Sequence, residues 1–422
     1  MCPSFQATLD EMYSTRGRAN LLRAMISDGF DTPEMAVQAV KEALDKCLAC
    51  KGCKAECPSA VDMAKLKYEF YQHYHSLPGH PRPLRDYLFG YILQVSKLGH
   101  HFAPLVNLLL SADRLAGLRE RVLRISKFRK LPLLAGDTIH RHARHYFDNK
   151  REPDCLLLSD AFNEYFYPQI GVDALNILKA AGCNVKLLST IGTGRTLISK
   201  GFLVQAKRHA QKLINEINRI DPNGKLPIVG LEPSEIYTLK DEFVDFFRSN
   251  KQVNLIAERA FMIDEFLLRP DTDRLSGSSW LNSININDDN RTEVLLHGHC
   301  YQKAQSLAKD GLPIGVTATE AMLQAAGFSV KIIDDGCCGM AGAFGYETEH
   351  YDLSMQVGKL SLIPTIKKSS NSIIATPGIS CRSQIEDGTG RKVFHPISLV
   401  AQRWAKVNGG VNLRNILSTR SY

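Results

Sequence analysis

The sequence predicts a multidomain chain of mixed α+β and α/β class: an N-terminal helical domain around a cysteine-rich loop, a helical linker, and two repeated α/β units. Three observations predict it. Four cysteines and a closing proline stand together in Cys47-Leu-Ala-Cys50-Lys-Gly-Cys53-Lys-Ala-Glu-Cys57-Pro58, between two helical patterns. From residue 153 helical periodicity gives way to strand–helix alternation. Ile177-Leu-Lys-Ala-Ala-Gly-Cys-Asn-Val-Lys-Leu-Leu188 then returns as Met322-Leu-Gln-Ala-Ala-Gly-Phe-Ser-Val-Lys-Ile-Ile333, one plan used twice. The expected boundaries are 1–80 for the helical cysteine-rich domain, 81–150 for a basic helical linker, 153–265 for the first α/β unit and 291–402 for the second.

Composition agrees with that size. A chain of 422 residues, 44% hydrophobic and 23% charged, is an ordinary globular protein with room for several cores. The net charge of +8 suits anionic partners or a membrane surface. Nucleic acid is not an expected partner. Eleven cysteines, an odd number gathered mostly in two places, are metal or redox usage in a reducing compartment rather than a disulfide framework. No basic-then-apolar leader opens the chain. No apolar run reaches the roughly 18 residues that span a bilayer. The nearest, Tyr87 to Leu110, is broken by Gln94, Lys97, His100, His101 and Pro104. The expected location is the cytoplasm, with peripheral contact to the inner membrane as the variant.

Taken in order, the chain opens Met1-Cys2-Pro3-Ser4. Ser14 to Arg18 lead into a helical pattern over 19–26. Thr32 with Pro33 after it reads as N-cap and first helical position. The following helix carries Val37, Val40 and Leu44 on one stripe and delivers Cys47 at its end. The spacing C-x2-C-x2-C-x3-C-P is the run that wraps a [4Fe–4S] cluster in bacterial two-cluster ferredoxins. Three closely spaced thiolates fold around one face of a cube, Gly52 supplies backbone freedom, and the proline turns the chain away. A zinc knuckle or a redox C-x-x-C are the competing readings of the same cysteines. A second helix over 60–75 leaves the loop, so the cluster sits between helices in the helical-ferredoxin manner.

In such paired motifs the fourth cysteine ligates the other cluster. Cys47, Cys50 and Cys53 are therefore expected to be completed by Cys2, the closing cysteine of a Cys-Pro that stands with nothing before it. Cys57 would belong to a second cube whose other three ligands lie upstream of Met1, and the chain is expected to be a truncated form of a longer protein. The alternative is that Cys57 closes the first cube and Cys2 is a disordered terminal residue.

Residues 84–150 read as helical and amphipathic. Arg114, Arg119, Arg121, Arg124, Lys127, Arg129 and Lys130 there face only Asp113 and Glu120. This is either a solvated basic face or a docking site for anionic lipid or an acidic partner.

In the α/β half, Leu156-Leu-Leu158 corresponds to Val294-Leu-Leu296, and Glu232-Pro-Ser-Glu235 to Gly378-Ile-Ser-Cys381. Cys337-Cys338-Gly339 falls on Gly192-Thr193-Gly194, Cys381 on Glu235, and Cys300 near Phe162. The second unit thus carries a cysteine site that the first lacks. Cys155 and Cys183 read as inert core thiols. The stretch from Pro270 to Asn290, rich in Asp, Asn and Ser, reads as a surface linker.

Cys300, Cys337-Cys338-Gly339 and Cys381 resemble the cysteine-rich CCG module of heterodisulfide reductases and of the iron–sulfur subunits of glycolate oxidase and anaerobic glycerol-3-phosphate dehydrogenase. With Met1-Cys-Pro-Ser-Phe5, Ser14 to Leu22, Cys47 to Pro58, Leu197-Ile-Ser-Lys-Gly201, His299-Cys-Tyr-Gln-Lys-Ala304 and Ser380-Cys-Arg-Ser-Gln-Ile385, nearly the whole chain resembles the C-terminal half of FAD-linked D-lactate/D-2-hydroxyglutarate-type dehydrogenases. The fullest CCG pattern ends C-x-x-C, whereas Gln384 stands here at that spacing after Cys381. The resemblance thus implies a four-ligand iron–sulfur or zinc site at Cys300, Cys337, Cys338 and Cys381. It also implies an electron-transfer role, passing electrons from a flavin elsewhere to a quinone or other acceptor. FAD would belong to a missing domain or partner, and the chain would not oxidise a hydroxy acid alone. Two rivals stand beside this. One is thiol–disulfide chemistry at the CCG site, with His297, His299 and Lys303 as acid–base groups; otherwise these hydrogen-bond cluster sulfurs or the turn backbone. The other is a zinc scaffold or non-functional gene remnant.

Overall fold

The computed structural model describes residues 2–408 except 144, 145, 149, 271–276, 285–291, 307 and 309. Helices Pro3–Thr8, Thr15–Ile26, Pro33–Asp45, Gly52–Glu56 and Met63–Tyr74 form the N-terminal part. Their ends follow local chemistry. The Thr32 side chain accepts from Met35 N with Pro33 in the first turn, and Ser14 and Asp62 cap the helices after them in the same way. Val40 and Leu44 are buried, and with Met63 and Phe70 they make a small core that reaches Cys47.

The α/β half holds two four-stranded parallel sheets. The first contains β1 (Cys155–Leu157), β2 (Val185–Leu187), β3 (Ile228–Gly230) and β4 (Ala260–Met262) in the order β2-β1-β3-β4. The second contains β5 (Glu293–Leu296), β6 (Ser329–Ile332), β7 (Ile373–Ala375) and β8 (Val393–Phe394) in the order β6-β5-β7-β8. The central strands are short apolar runs, broken only by the exposed Glu293 at the start of β5, as expected of parallel strands covered on both faces. The two sheets share one core: Leu157 and Val229 lie in the same cluster as Val294, Leu296 and Ala375. Helices Pro168–Ala180 and Pro396–Val407 pack against each other between them. In both sheets the chain moves from the central strand to one side and then crosses to the other. That switch point opens a crevice at the carboxyl ends of the strands, where ligands of such sheets bind.

The hydrogen-bond register corrects the repeat alignment by one residue in its first strand. Leu188 N donates to Leu157 O at 2.9 Å, and Ile333 N donates to Leu296 O at 2.9 Å. Leu157 is therefore the counterpart of Leu296, Leu158 of His297, Asp160 of His299 and Ala161 of Cys300. A uniformly apolar triplet gives no sequence signal that could fix its own phase.

Two further expectations change. Within the stretch read as a surface linker, helix Gly277–Ser283 buries Leu281, and Ile284 after it is buried too, while 271–276 and 285–290 lie outside the described residues. In the basic linker, helices Leu84–Gly90, Ile92–His100, Ala103–Ser111 and Ala116–Leu123 give way at Ile125 to a non-helical stretch bridged to Glu347. There Arg129 is buried, donating to Gly345 O at 2.8 Å, Ser354 Oγ at 2.9 Å and Asp387 at 3.0 Å. It is a structural tie rather than part of a surface patch.

Ion pairs hold the N-terminal part to the α/β half. Lys51, at the tip of the cysteine loop, is buried against Asp241 and Glu242, the latter at 2.7 Å, and Arg195 meets the same Glu242 at 2.6 Å. Lys54 and Lys65 also reach Asp241. His350 of the second unit lies between Asp45 and Glu347.

Candidate functional site

The first cysteine set is assembled by the loop and by the start of the chain. Cys47 leaves helix Pro33–Asp45, its N–H still bonded to Leu44 O at 3.0 Å. The left-handed residues of the loop are Ala49 (φ 51°) and Lys51 (φ 59°), while Gly52, expected to supply that freedom, simply opens the next helix. A left-handed non-glycine costs about 1 kcal/mol, and at Lys51 the buried ion pairs hold the strained backbone in place. Cys2 sits before helix Pro3–Thr8, and the buried Arg18 donates from Nη1 to Cys2 Sγ at 3.2 Å. Burial works against the Arg18 charge, but Cys47, Cys2 and Cys50 around it outweigh burial and raise its pKa. Burial first, and then neighbouring sulfurs, push the Cys50 and Cys53 thiols up; Cys47 and Cys2 act on both. Cys2, Cys47, Cys50 and Cys53 therefore lie near enough to act on one another, with Cys47 buried and the other three half-buried. Neighbouring thiols that repel one another as thiolates, beside a buried arginine whose Nη2 has no partner, are a donor set that fits a cationic iron–sulfur core.

Cys57 stands apart. The N–H groups of Val61, Ser59 and Ala60 hold its thiol below the ordinary range, and no other cysteine contributes notably.

The second set lies at the carboxyl ends of β5, β6 and β7, at the switch point. His297 follows β5, and its Nδ1 is hydrogen-bonded to Asp335 Oδ2 at 2.6 Å. His299 caps the short helix Cys300–Lys303, accepting from Tyr301 N at 3.1 Å. Gly339 has φ 93°, and a Cβ there would lie 2.2 Å from Ser354 O, so the glycine after the cysteine pair is dictated by backbone contact. Cys381 enters in the first turn of helix Ile379–Thr389. The ligand atoms of His297, Cys338 and Cys381 lie within 4.8 Å of one another. Hydrogen bonding to Cys300 and Cys338, with burial, pushes Cys337 up. Contacts with Cys337, Cys381 and then His297 hold Cys338 well down. Cys338 and Cys381 thus lie close together, Cys337 contacts Cys338 and Cys300 contacts Cys337, a donor set that fits a thiolate-bound metal. Gln384, in place of a further cysteine, donates to Ser354 O at 2.9 Å.

His297 and Asp335 carry more of this site than the sequence suggested. Burial alone would lower the His297 pKa, but the Asp335 carboxylate reverses the effect and lifts it to about 9. Asp335 is itself held by Lys303, which also donates to Asp335 O at 2.7 Å. The only signal in the sequence is the acidic pair Asp334-Asp335 just before Cys337. His299 is driven by burial to about 4, so it is a neutral acceptor at its cap.

The two sets adjoin. Cys300 is the first charge acting on Cys50, and Cys50 packs with Cys337, Leu48 and Phe344 in one apolar cluster.

In the first unit hydrogen bonds between protein groups occupy the corresponding position. Thr193 donates from N at 2.7 Å and from Oγ1 at 2.6 Å to Glu235 Oε2. Cys155 and Cys183 contact each other in the core. Burial, then the Asp160 charge, raises Glu235 to about 7. A folded pKa of about 7 against an unfolded 4.5 means the fold prefers the protonated acid, so stability falls as pH climbs from 4.5 through 7. Glu235→Gln should flatten that fall and stabilise the protein at pH 8 by roughly 1–3 kcal/mol, at about 1.4 kcal/mol per unit of pKa. Denaturation midpoints at pH 5 and pH 8 measure it, and equal midpoint changes at both would contradict the buried acid.

Residues 1–62 match the 4Fe-4S dicluster domain family, and residues 294–386 the cysteine-rich (CCG) domain family. The chain thus carries one segment similar to 4Fe-4S dicluster domains and one similar to cysteine-rich domains, and it is homologous to dehydrogenase and oxidase chains. The chain is 25% identical to D-2-hydroxyglutarate dehydrogenase of Escherichia coli (strain K12), over 95% of this chain and 42% of that protein. It is 25% identical to one of the subunits of anaerobic glycerol-3-phosphate dehydrogenase from the same organism, over 76% of this chain and 78% of that one. With the Escherichia coli glycolate oxidase iron-sulfur subunit it shares 24% identity over 96% and 91% of the two chains. It therefore spans about two-fifths of the length of the D-2-hydroxyglutarate dehydrogenases it matches.

Proposed function

We propose that this chain is the electron-transfer portion of an FAD-dependent D-2-hydroxy-acid dehydrogenase, receiving electrons from a flavin in a partner domain or subunit and delivering them to a quinone or other acceptor. The observation that carries the reading is the junction of the two cysteine sets at Cys50 and Cys300. Bound metal–sulfur centres would supply one-electron steps there. Cys2, Cys47, Cys50 and Cys53 would hold a [4Fe–4S] cluster, and Cys300, Cys337, Cys338 and Cys381 the second, iron–sulfur or zinc, centre. Cys57 would serve a further cluster whose remaining ligands come from elsewhere. The apolar residues Leu48, Phe344, Leu353 and Val357 keep water from the space between the sets. The first α/β unit, with Thr193 and Glu235 at its crevice, would act as the scaffold that clamps Lys51.

The test is anaerobic purification followed by iron and acid-labile sulfide analysis, then mixing with a flavin-bearing D-2-hydroxy-acid dehydrogenase and its substrate. Bleaching of the cluster absorption on mixing, reversed by a quinone analogue, supports the reading. A chain with zinc alone, or clusters that the reduced flavoprotein cannot bleach, would overturn it.

The linker gives the complex a surface for the membrane. No described helix is long and apolar enough to cross a bilayer. Yet Leu98, Phe102, Leu105 and Leu108 are 59–69% exposed. Leu118, Val122 and Phe128 are exposed as well, beside the exposed cations Arg114, Arg121, Arg124, Lys127 and Lys130. An apolar face rimmed by cations is the pattern of an interfacial helix on anionic lipid. Flotation with phosphatidylglycerol vesicles should recover the protein, with recovery falling several-fold at high salt and in Leu105→Glu/Leu108→Glu. Equal recovery on neutral vesicles would refute it.

A further inference from the structure

We infer that His297 is a direct metal ligand of the cysteine-rich centre, through Nε2, and that Asp335 and Lys303 position it. The inference rests on the proposed reading that Cys300, Cys337, Cys338 and Cys381 hold a metal.

Four observations lead to it. His297 is fully buried, and its Nδ1 is committed to Asp335 at 2.6 Å, which leaves Nε2 as the atom facing the thiols of Cys338 and Cys381. That Nε2 is buried and makes no well-aligned hydrogen bond, and its neighbour is the Cys338 sulfur. A buried imidazole nitrogen aimed at a thiol sulfur, with no well-aligned hydrogen bond of its own, is the arrangement that a shared metal would complete. Next, the ligand atoms of His297, Cys338 and Cys381 lie within 4.8 Å of one another. Donors that share one four-coordinate metal with bonds of about 2.0–2.3 Å are separated by roughly 3.3–3.8 Å, so a small contraction suffices; on a zinc ion His297 would stand in for one of the four cysteines, and on a multi-iron centre it would join them. Third, a histidine that ligates through one nitrogen almost always donates its other N–H to a carboxylate, which sets the tautomer and orients the ring. Asp335 does this, and Lys303 fixes Asp335 in turn through its carboxylate and through the carbonyls of Asp335 and Gly336.

The fourth observation comes from the first unit. By the register above, Leu158 stands there in the place of His297, and Thr190 in the place of Asp335. The scaffold therefore folds with an aliphatic side chain at this position. Histidine and aspartate are absent together, in the same unit that lacks the cysteines. In the second unit Gln384 stands where the fullest cysteine pattern would supply another sulfur, and it is bonded to Ser354 O. An imidazole nitrogen supplies the donor that this helix does not.

The experiment uses the full chain, purified and reconstituted anaerobically with iron and sulfide, and carrying isotopically labelled histidine. Pulsed electron paramagnetic resonance of the cysteine-rich centre should show one strongly coupled histidine nitrogen. If the site takes zinc, zinc-edge X-ray absorption should show one nitrogen among the sulfur ligands. His297→Ala should lose that nitrogen and lower metal at this centre several-fold, while the signal of the Cys47, Cys50 and Cys53 cluster stays. Asp335→Asn should keep the nitrogen but weaken metal binding by about 10–100-fold, as loss of such a supporting carboxylate does. His297→Cys should retain metal with a lower reduction potential, since imidazole-for-thiolate exchange raises potentials. A metal centre that depends on Cys338 but shows no bound histidine nitrogen would overturn the inference and leave the proposed function standing. Absence of any metal dependent on Cys338 would overturn both. Should His297→Ala fail to fold, the nitrogen signal of the unaltered protein still decides.

Discussion

Cys2→Ala is expected to remove the cluster held by Cys47, Cys50 and Cys53, taking with it about four iron and four sulfide per chain, whereas Cys57→Ala should spare it. The geometry behind this is one-sided. Arg18 is enclosed by Cys47, Cys2 and Cys50, and it donates to Cys2 at 3.2 Å. Cys57 instead sits at the surface in a cradle of N–H groups from residues 59–61. Removing Cys2 leaves three thiolates and a buried guanidinium short of an anion, a cost of about 1–3 kcal/mol or more. The thiol of Cys57, held below its ordinary range, should also react with iodoacetamide near neutral pH while the cluster remains visible. Iron, sulfide and visible spectra of the two variants decide. Loss of the cluster in Cys57→Ala, with retention in Cys2→Ala, would reverse the assignment.

Cys338→Ala should empty the cysteine-rich centre and leave the first cluster intact, while Thr193→Ala, its counterpart in the first unit, should leave metal content unchanged. Cys338 is the sulfur in contact with Cys337, Cys381 and His297, so its removal takes the centre of the donor set. Thr193 only satisfies Glu235, and the alanine variant leaves that buried carboxylate with one donor fewer. Its effect should be a stability loss of about 1–3 kcal/mol. Metal analysis beside thermal unfolding separates the two. Full metal and an unchanged spectrum in Cys338→Ala would remove this cysteine from the site.

Local chemistry was legible and long-range chemistry was not. The Thr32-Pro33 start, the stripe of Val40 and Leu44, and the cysteine spacing are written within a few residues of where they act. The repeat was legible from a twelve-residue match, and its strand phase was not, because a run of leucines reads alike in either register. Arg129 looked like one of seven surface cations, yet it is buried against residues more than two hundred positions away. The partnership of His297 with Asp335 spans two strands, and only the acidic pair Asp334-Asp335 hints at it. Ala49 and Lys51 in left-handed conformation, beside an idle Gly52, show the same thing in small: tertiary ion pairs overrule the local preference.

The clamp on Lys51 bears on how a cluster could be lost. The loop that carries Cys50 and Cys53 is pinned at its tip by the half-buried Asp241 and the buried Glu242, and Arg195 locks Glu242 from the other side. Breaking one partner out of such a buried group costs about 3–5 kcal/mol. The loop therefore cannot peel away by local fraying; it must wait for the N-terminal helices to part from the first sheet. Chelators and oxidants would then meet the cluster at the tempo of that wider opening, so its lifetime becomes a property of the whole chain rather than of four sulfurs.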